Sequence, residues 1–130
     1  SNYLSKTTIA ELKGMAAGHS FEHFIFMELL AYKNINDKRF DICYWRTKTK
    51  YEVDFILGEG EIAVEVKINA SVKKSELKSL IAFCEEHQPK KAIVVSQDTR
   101  PRQLTLENNG VIHILPWREF LDQLWAQKII

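Results

Sequence analysis

An α/β fold with a mixed sheet of four to five strands flanked by helices, in the order αβββαβ and then βα, is predicted by three features of the sequence. Three short segments rich in β-branched and aromatic residues follow one another between residues 42 and 68, separated by polar or glycine-containing turns. An amphipathic stretch then links the third of them to a further apolar run, long enough to serve as a parallel crossover. Finally, a strand-like and a helix-like segment close the chain. At 130 residues the length suits a single domain able to bury one continuous core.

Taken in order, residues 1–17 read as a lead-in from a longer protein. The chain begins Ser1-Asn2 without methionine, which looks like a cleavage scar. Thr8 and Glu11 have capping-box spacing, but the apolar pattern there is too thin to predict a helix. The domain proper is expected over 18–130. From Ser20 to Asn34 the apolar residues recur over three turns, predicting a well-buried helix. Ile42 to Thr47, Tyr51 to Leu57 and Glu61 to Ile68 are the three strands of an antiparallel meander. Ser71 to His87 sets Leu77, Leu80, Ile81 and Cys84 on one helical stripe. Ala92 to Ser96 and Val111 to Leu115 are short apolar runs suited to buried strands. Pro116 opens a last helix, with Phe120, Leu121, Leu124 and Trp125 at helical spacing.

Composition excludes some classes of function. With 45% hydrophobic and 27% charged residues the chain is neither disordered nor a disulfide scaffold. A net charge of +1 falls short of the strongly basic footprint of a nonspecific nucleic-acid binder, so phosphate binding requires local clustering. No apolar run reaches the roughly 18 residues of a membrane span, and no signal peptide is seen. The expectation is a cytoplasmic protein without membrane contact. Cys43 and Cys84 lack metal or disulfide spacing and are expected to be buried thiols.

The second and third strands carry the chemistry. Tyr51, Val53, Phe55 and Leu57 alternate with Glu52, Asp54 and Ile56, while Ile62, Val64, Val66 and Ile68 alternate with Glu61, Ala63, Glu65 and Lys67. Matching the apolar faces requires an odd constant sum of paired residue numbers, because a one-residue slip turns a strand inside out. A two-residue Glu59-Gly60 turn, with Gly58 paired to Glu61, supplies a register that sets Asp54 opposite Glu65 and Glu52 opposite Lys67. Two carboxylates about 5 Å apart across strands repel. A hard divalent cation such as Mg²⁺ would relieve that repulsion. Lys67 shares this face, and Glu22 shares its helical stripe with Ile25, Phe26 and Leu29, which directs it inward.

Plainer readings exist for each of these residues. A polar strand face is commonly a solvated one, with Glu52 and Lys67 as a surface pair worth roughly 0 to 1 kcal/mol. Glu22 could serve only as an acidic residue near a helix N-terminus. His19, His23, His87 and His113 lack metal-ligand spacing and are assigned to structure or surface, His23 being the near neighbour of the site. Lys73, Lys74 and Lys78 read as a solvated helix face or as phosphate contacts.

Gly18-His19-Ser20-Phe21-Glu22-His23-Phe24 with Glu28-Leu29, then Tyr44-Trp45-Arg46, Glu52-Val53-Asp54-Phe55, Ala63-Val64-Glu65-Val66-Lys67, Pro116 and Phe120-Leu121 resemble the C-terminal nuclease-like domain of prokaryotic AAA-type ATPases. The resemblance runs over about residues 18 to 126 and implies the PD-(D/E)XK, or restriction-endonuclease-like, fold. Val53 stands where the superfamily name has proline. The resemblance implies that Asp54 and Glu65 bind Mg²⁺ or Mn²⁺, that Lys67 orients or activates the attacking water, and that Glu22 completes the metal shell. It further implies nucleic acid, DNA first, as the substrate for phosphodiester hydrolysis, and an AAA-type ATPase domain in the same full-length chain as partner. The competing expectations are a non-catalytic DNA-binding or regulatory module that keeps the nuclease fold, and a purely structural or oligomerising domain.

Overall fold

The computed structural model describes residues 9–130, with side chains from residue 16 onward. Helix α1 (Ile9–Ile35) is followed by strands β1 (Ile42–Arg46), β2 (Glu52–Leu57) and β3 (Ile62–Val66), then a 3₁₀ turn (Lys74–Glu76) and helix α2 (Lys78–His87). Strands β4 (Lys91–Ser96), β5 (Arg102–Thr105) and β6 (Val111–Pro116) and helix α3 (Trp117–Trp125) complete the chain. The six strands lie in the order β1-β2-β3-β4-β6-β5. Strands β1, β2 and β3 form the antiparallel meander, β3, β4 and β6 run parallel, and β5 returns antiparallel to β6.

The mixed α/β architecture is therefore as expected, with corrections. The sheet has six strands, one more than the upper expectation. The additional strand, Arg-Gln-Leu-Thr at β5, is short and largely exposed on a sheet edge, so it needs no apolar alternation to signal it. Helix α1 already runs from Ile9, so part of the expected lead-in is helical. The Thr8 and Glu11 capping box falls outside the described residues. The helix expected over 71–87 begins only at Lys78, after the 3₁₀ turn. Cys43 is exposed on edge strand β1, whereas Cys84 is buried, which pushes its thiol pKa up to about 11.

Helices cover both faces of the sheet. On one face Ile25, Leu29 and Tyr32 of α1, spaced i, i+4, i+7, and Phe120 and Leu124 of α3 pack on Phe55, Leu57, Val64, Ile93 and Val95. On the other, Leu77, Leu80, Phe83 and Cys84 cover Ile56, Ala63, Ala92, Val94, Ile112 and Ile114. Helix α1 ends where Asp37 turns left-handed, at φ 50°, and Lys38 N–H closes onto the Lys33 carbonyl at 2.9 Å. Among the described residues no helix is long and apolar enough to cross a membrane.

Two details of the meander position the site. The β2–β3 register is the expected one, with Phe55 opposite Val64, Ile56 opposite Ala63 and Leu57 opposite Ile62. The connection is a four-residue turn, Gly58 to Glu61, instead of two, with Gly58 and Gly60 both at positive φ, and the Gly58 N–H goes to the Asp41 carbonyl. Between β1 and β2 the pairing steps from Cys43–Ile56 to Trp45–Val53, two residues on β1 against three on β2. The extra residue is a β-bulge that leaves Asp54 and Phe55 together opposite Tyr44. It also reverses the parity of Val53, which packs with the α2-side core instead of with Phe55 and Leu57.

Candidate functional site

The bulge has a direct chemical effect on Asp54. Its side chain turns toward the end of β3, where Asp54 Oδ2 accepts the Val66 N–H at 2.7 Å, one pair beyond the last β2–β3 ladder pair. Asp54 and Glu65 are thus brought together, though by a side chain replacing a ladder bond and not as a regular cross-strand pair. The expected Glu52–Lys67 pairing does not form. Glu52 pairs instead with Arg46 on β1, with a 3.0 Å ion pair, because the register beyond the bulge is set by β1.

Glu65 is only 5% exposed. Burial, a hydrogen bond to the Asp54 side chain and the Asp54 charge push its carboxyl pKa up to about 9, with Lys67 and the Asp54 amide working in the other direction. Glu22, half-buried on α1, is also raised, first by burial and then by the charge of Asp54, with His19 opposing and Glu52 adding. Lys67 is half-buried, and its backbone N–H is fixed to the Val95 carbonyl at 2.9 Å.

Glu22, Asp54, Glu65 and Lys67 line one cleft of about 440 Å³ at the carboxyl end of β3. The four expected site residues are therefore brought together by α1, β2 and the end of β3. His19, Lys50, Asn69, Glu76 and Ser79 line the same cleft and were not anticipated. Helical spacing could have found His19, which lies three residues before Glu22 and so shares its face, whereas the expected neighbour His23 is turned about 100° away. His23 instead joins His19, Glu22, Phe26 and Phe55 around a separate, smaller pocket. The rule that ligands gather beyond the carboxyl ends of parallel strands could have marked the segment after β3. Ser79 Oγ accepts the Glu52 N–H at 3.1 Å, tying the start of α2 to the cleft edge. Lys73, Lys74 and Lys78 are exposed and lie outside the cleft lining.

Among the described residues no three His, Cys, Asp or Glu side chains form a ready-made metal-holding group. The donor set that fits a cation is the carboxyl pair, Asp54 and Glu65. Mg²⁺ commonly takes one or two protein carboxylates and completes its shell with water and substrate phosphate. Burial and the neighbouring Asp54 charge hold the Glu65 carboxyl well above the usual carboxylate range, an environment such a cation would relieve. The Asp54 charge reaches Glu22 through space and helps to raise its pKa.

A family model described as a domain of unknown function, DUF4143, matches residues 17–120. The chain belongs to this family. The match to DUF4143 begins within α1, just before Gly18, and takes in every residue lining the cleft. No curated protein and no solved structure matches the chain.

Proposed function

We propose that this DUF4143 domain is a Mg²⁺- or Mn²⁺-dependent nuclease of the restriction-endonuclease-like type, hydrolysing nucleic-acid phosphodiesters in the cytoplasm as part of an AAA-type ATPase. The observation that carries the reading is that Asp54 and the buried Glu65 line one cleft with Lys67 and Glu22, Asp54 being tied by its carboxylate to the Val66 N–H next to Glu65. A bound divalent cation would supply Lewis-acid polarisation of the phosphoryl group and activation of water. Asp54 and Glu65 would hold it. Lys67 places a fixed cation where negative charge develops on the phosphate, a role that a preorganised group performs without reorganisation cost. Glu22 closes the α1 side of the cleft, and its raised pKa suits it to support the acidic pair by accepting or holding a proton.

The test is cleavage of supercoiled, linear and single-stranded DNA and of RNA with Mg²⁺ or Mn²⁺, by the domain and by the full-length ATPase supplied with ATP. Nicking or degradation that Asp54→Asn abolishes is expected. No cleavage of any of the four by either protein would sink the proposal. A non-catalytic DNA-binding or regulatory module is the second reading, supported by the exposed Lys73, Lys74 and Lys78 outside the cleft. It requires salt-sensitive DNA binding that is lost on mutating Lys73 and Lys74.

A further inference from the structure

The β1–β2 connection brings a second cation to the cleft. Thr47 N–H bonds the Tyr51 carbonyl at 3.0 Å and Lys50 N–H bonds the Thr47 carbonyl at 3.1 Å, closing a short hairpin loop. Thr47 Oγ1 also accepts the Tyr51 N–H at 3.1 Å and meets Thr49 Oγ1 at 2.9 Å, so the loop is internally braced. Lys50 occupies its left-handed position, φ 68°. Glycine or asparagine is the usual occupant of such a position, because a Cβ is strained there. A lysine is held in this strained position at the rim of the cleft that Lys67 enters from the far strand.

Several other basic groups of the domain are already engaged. Arg46 pairs with Glu52, Lys90 with Glu61, Arg102 with Asp98, and the Lys91 ammonium donates to the Lys128 and Ile129 carbonyls. Among the described residues, neither Lys50 nor Lys67 has an ion-pair or hydrogen-bond partner for its ammonium. The cleft between them is large enough for a nucleotide unit.

We propose that Lys50 is a phosphate-binding residue, and that the β1–β2 loop grips a phosphodiester strand from the side of the cleft opposite β3 while Lys67 meets the phosphate at the acidic pair. This rests on the hydrolytic reading above and deepens it. The strand enters between the β1–β2 loop and α1, and the principal phosphate grip lies at the cleft rim instead of on the α2-side lysines. The bound class is a polyanionic phosphodiester chain, since the cleft is lined by two cations without ion-pair partners among the described residues, from two separate elements, the β1–β2 loop and the end of β3.

The test uses the whole chain and fluorescein-labelled oligonucleotides of single-stranded DNA, duplex DNA and RNA, with Ca²⁺ in place of Mg²⁺ and binding read by anisotropy across a salt titration. For the nucleic acid that binds most tightly, Lys50→Gly should weaken binding by about three- to tenfold at low salt and reduce the slope of log K against log salt by about one. The melting temperature should be unchanged or higher, because glycine removes the backbone strain. Lys50→Arg should retain binding. Wild-type affinity in Lys50→Gly, or no binding of any oligonucleotide by the unmodified chain, overturns the proposal. Lys50-dependent binding without cleavage would leave the grip standing and remove hydrolysis. Cleavage with an unaltered KM in Lys50→Gly would do the reverse.

Discussion

Asp54 Oδ2 accepts the Val66 N–H at 2.7 Å, which sets its carboxylate beside that of Glu65, 5% exposed, and burial together with Asp54 pushes the Glu65 carboxyl pKa up to about 9. Asp54 reaches this position because a bulge in β2 frees it from the ladder and its Oδ2 takes the Val66 N–H. Three expected outcomes concern this pair and its cleft, and a fourth concerns the buried Asp98.

Without divalent cations, stability should fall as pH rises. Glu65 goes from an ordinary 4.5 to about 9 on folding, so between those values the folded chain holds a proton that the unfolded chain has released. The stability that this proton confers is complete below 4.5 and is lost as pH rises toward about 9. Glu22, also raised, adds in the same direction. Urea midpoints measured across this range in EDTA should decline, and Glu65→Gln should flatten the decline. Parallel curves for the two proteins would mean that Glu65 is ionised throughout.

Mg²⁺ or Mn²⁺ should raise Tm, and more so at higher pH, since the cation competes with the proton that the raised Glu65 carboxyl holds. A ligand that binds only the folded form contributes about 1.4 kcal/mol at tenfold excess over Kd. Asp54→Asn should abolish the shift. Scanning calorimetry at two pH values checks both points, and a shift that survives in Asp54→Asn would place the cation elsewhere.

Lys67→Ala should lower the cleavage rate by about 10² to 10³, the usual loss for one preorganised electrostatic donor. It should leave Tm nearly unchanged. The backbone at this position is held by its own N–H bond to Val95, and the half-buried side chain belongs to neither core cluster. Single-turnover kinetics alongside circular dichroism separate the two effects.

Arg102→Ala should destabilise the fold by about 2 kcal/mol, because Asp98 is buried and would lose a charged hydrogen-bond donor. Arg102 donates to Asp98 Oδ1 at 2.8 and 3.1 Å and to the Val72 carbonyl at 2.7 Å, and Ser96 Oγ donates to Asp98 Oδ2 at 2.6 Å. Burial alone would raise the Asp98 pKa, but the hydrogen bonds from Ser96, Arg102 and the Val72 amide prevail and hold it below its usual 3.8. Its contribution is therefore complete above 3.8 and lost as pH falls through the depressed folded value. Acid unfolding midpoints should move to higher pH in Arg102→Ala.

Alternation and helical period are local signals, and they determined much of what the sequence could decide alone. The parity of Phe55 and Leu57 against Ile62 and Val64 restricted the β2–β3 register to odd sums, because a one-residue slip would expose one apolar face, and the shortness of the glycine turn between the strands chose among them. The stripes Ile25, Phe26, Leu29 and Leu77, Leu80, Ile81, Cys84 likewise specified which helical faces would be covered, with Phe26 and Ile81 half-buried at their margins. That Glu22, Asp54, Glu65 and Lys67 would meet was legible from the same patterns and from the resemblance of their motif. The tertiary structure alone decided how they meet. The bulge that aims Asp54 at Val66 arises from the competing registers of β1 and β3 on either side of β2, and no property of Val53, Asp54 or Phe55 records it. Strand β5 exists because β6 offers it an edge, Cys43 is exposed because β1 is the opposite edge, and Lys50 reaches the cleft because a loop turns it there. Each of these depends on neighbours distant in sequence, so a periodicity confined to one segment cannot carry it.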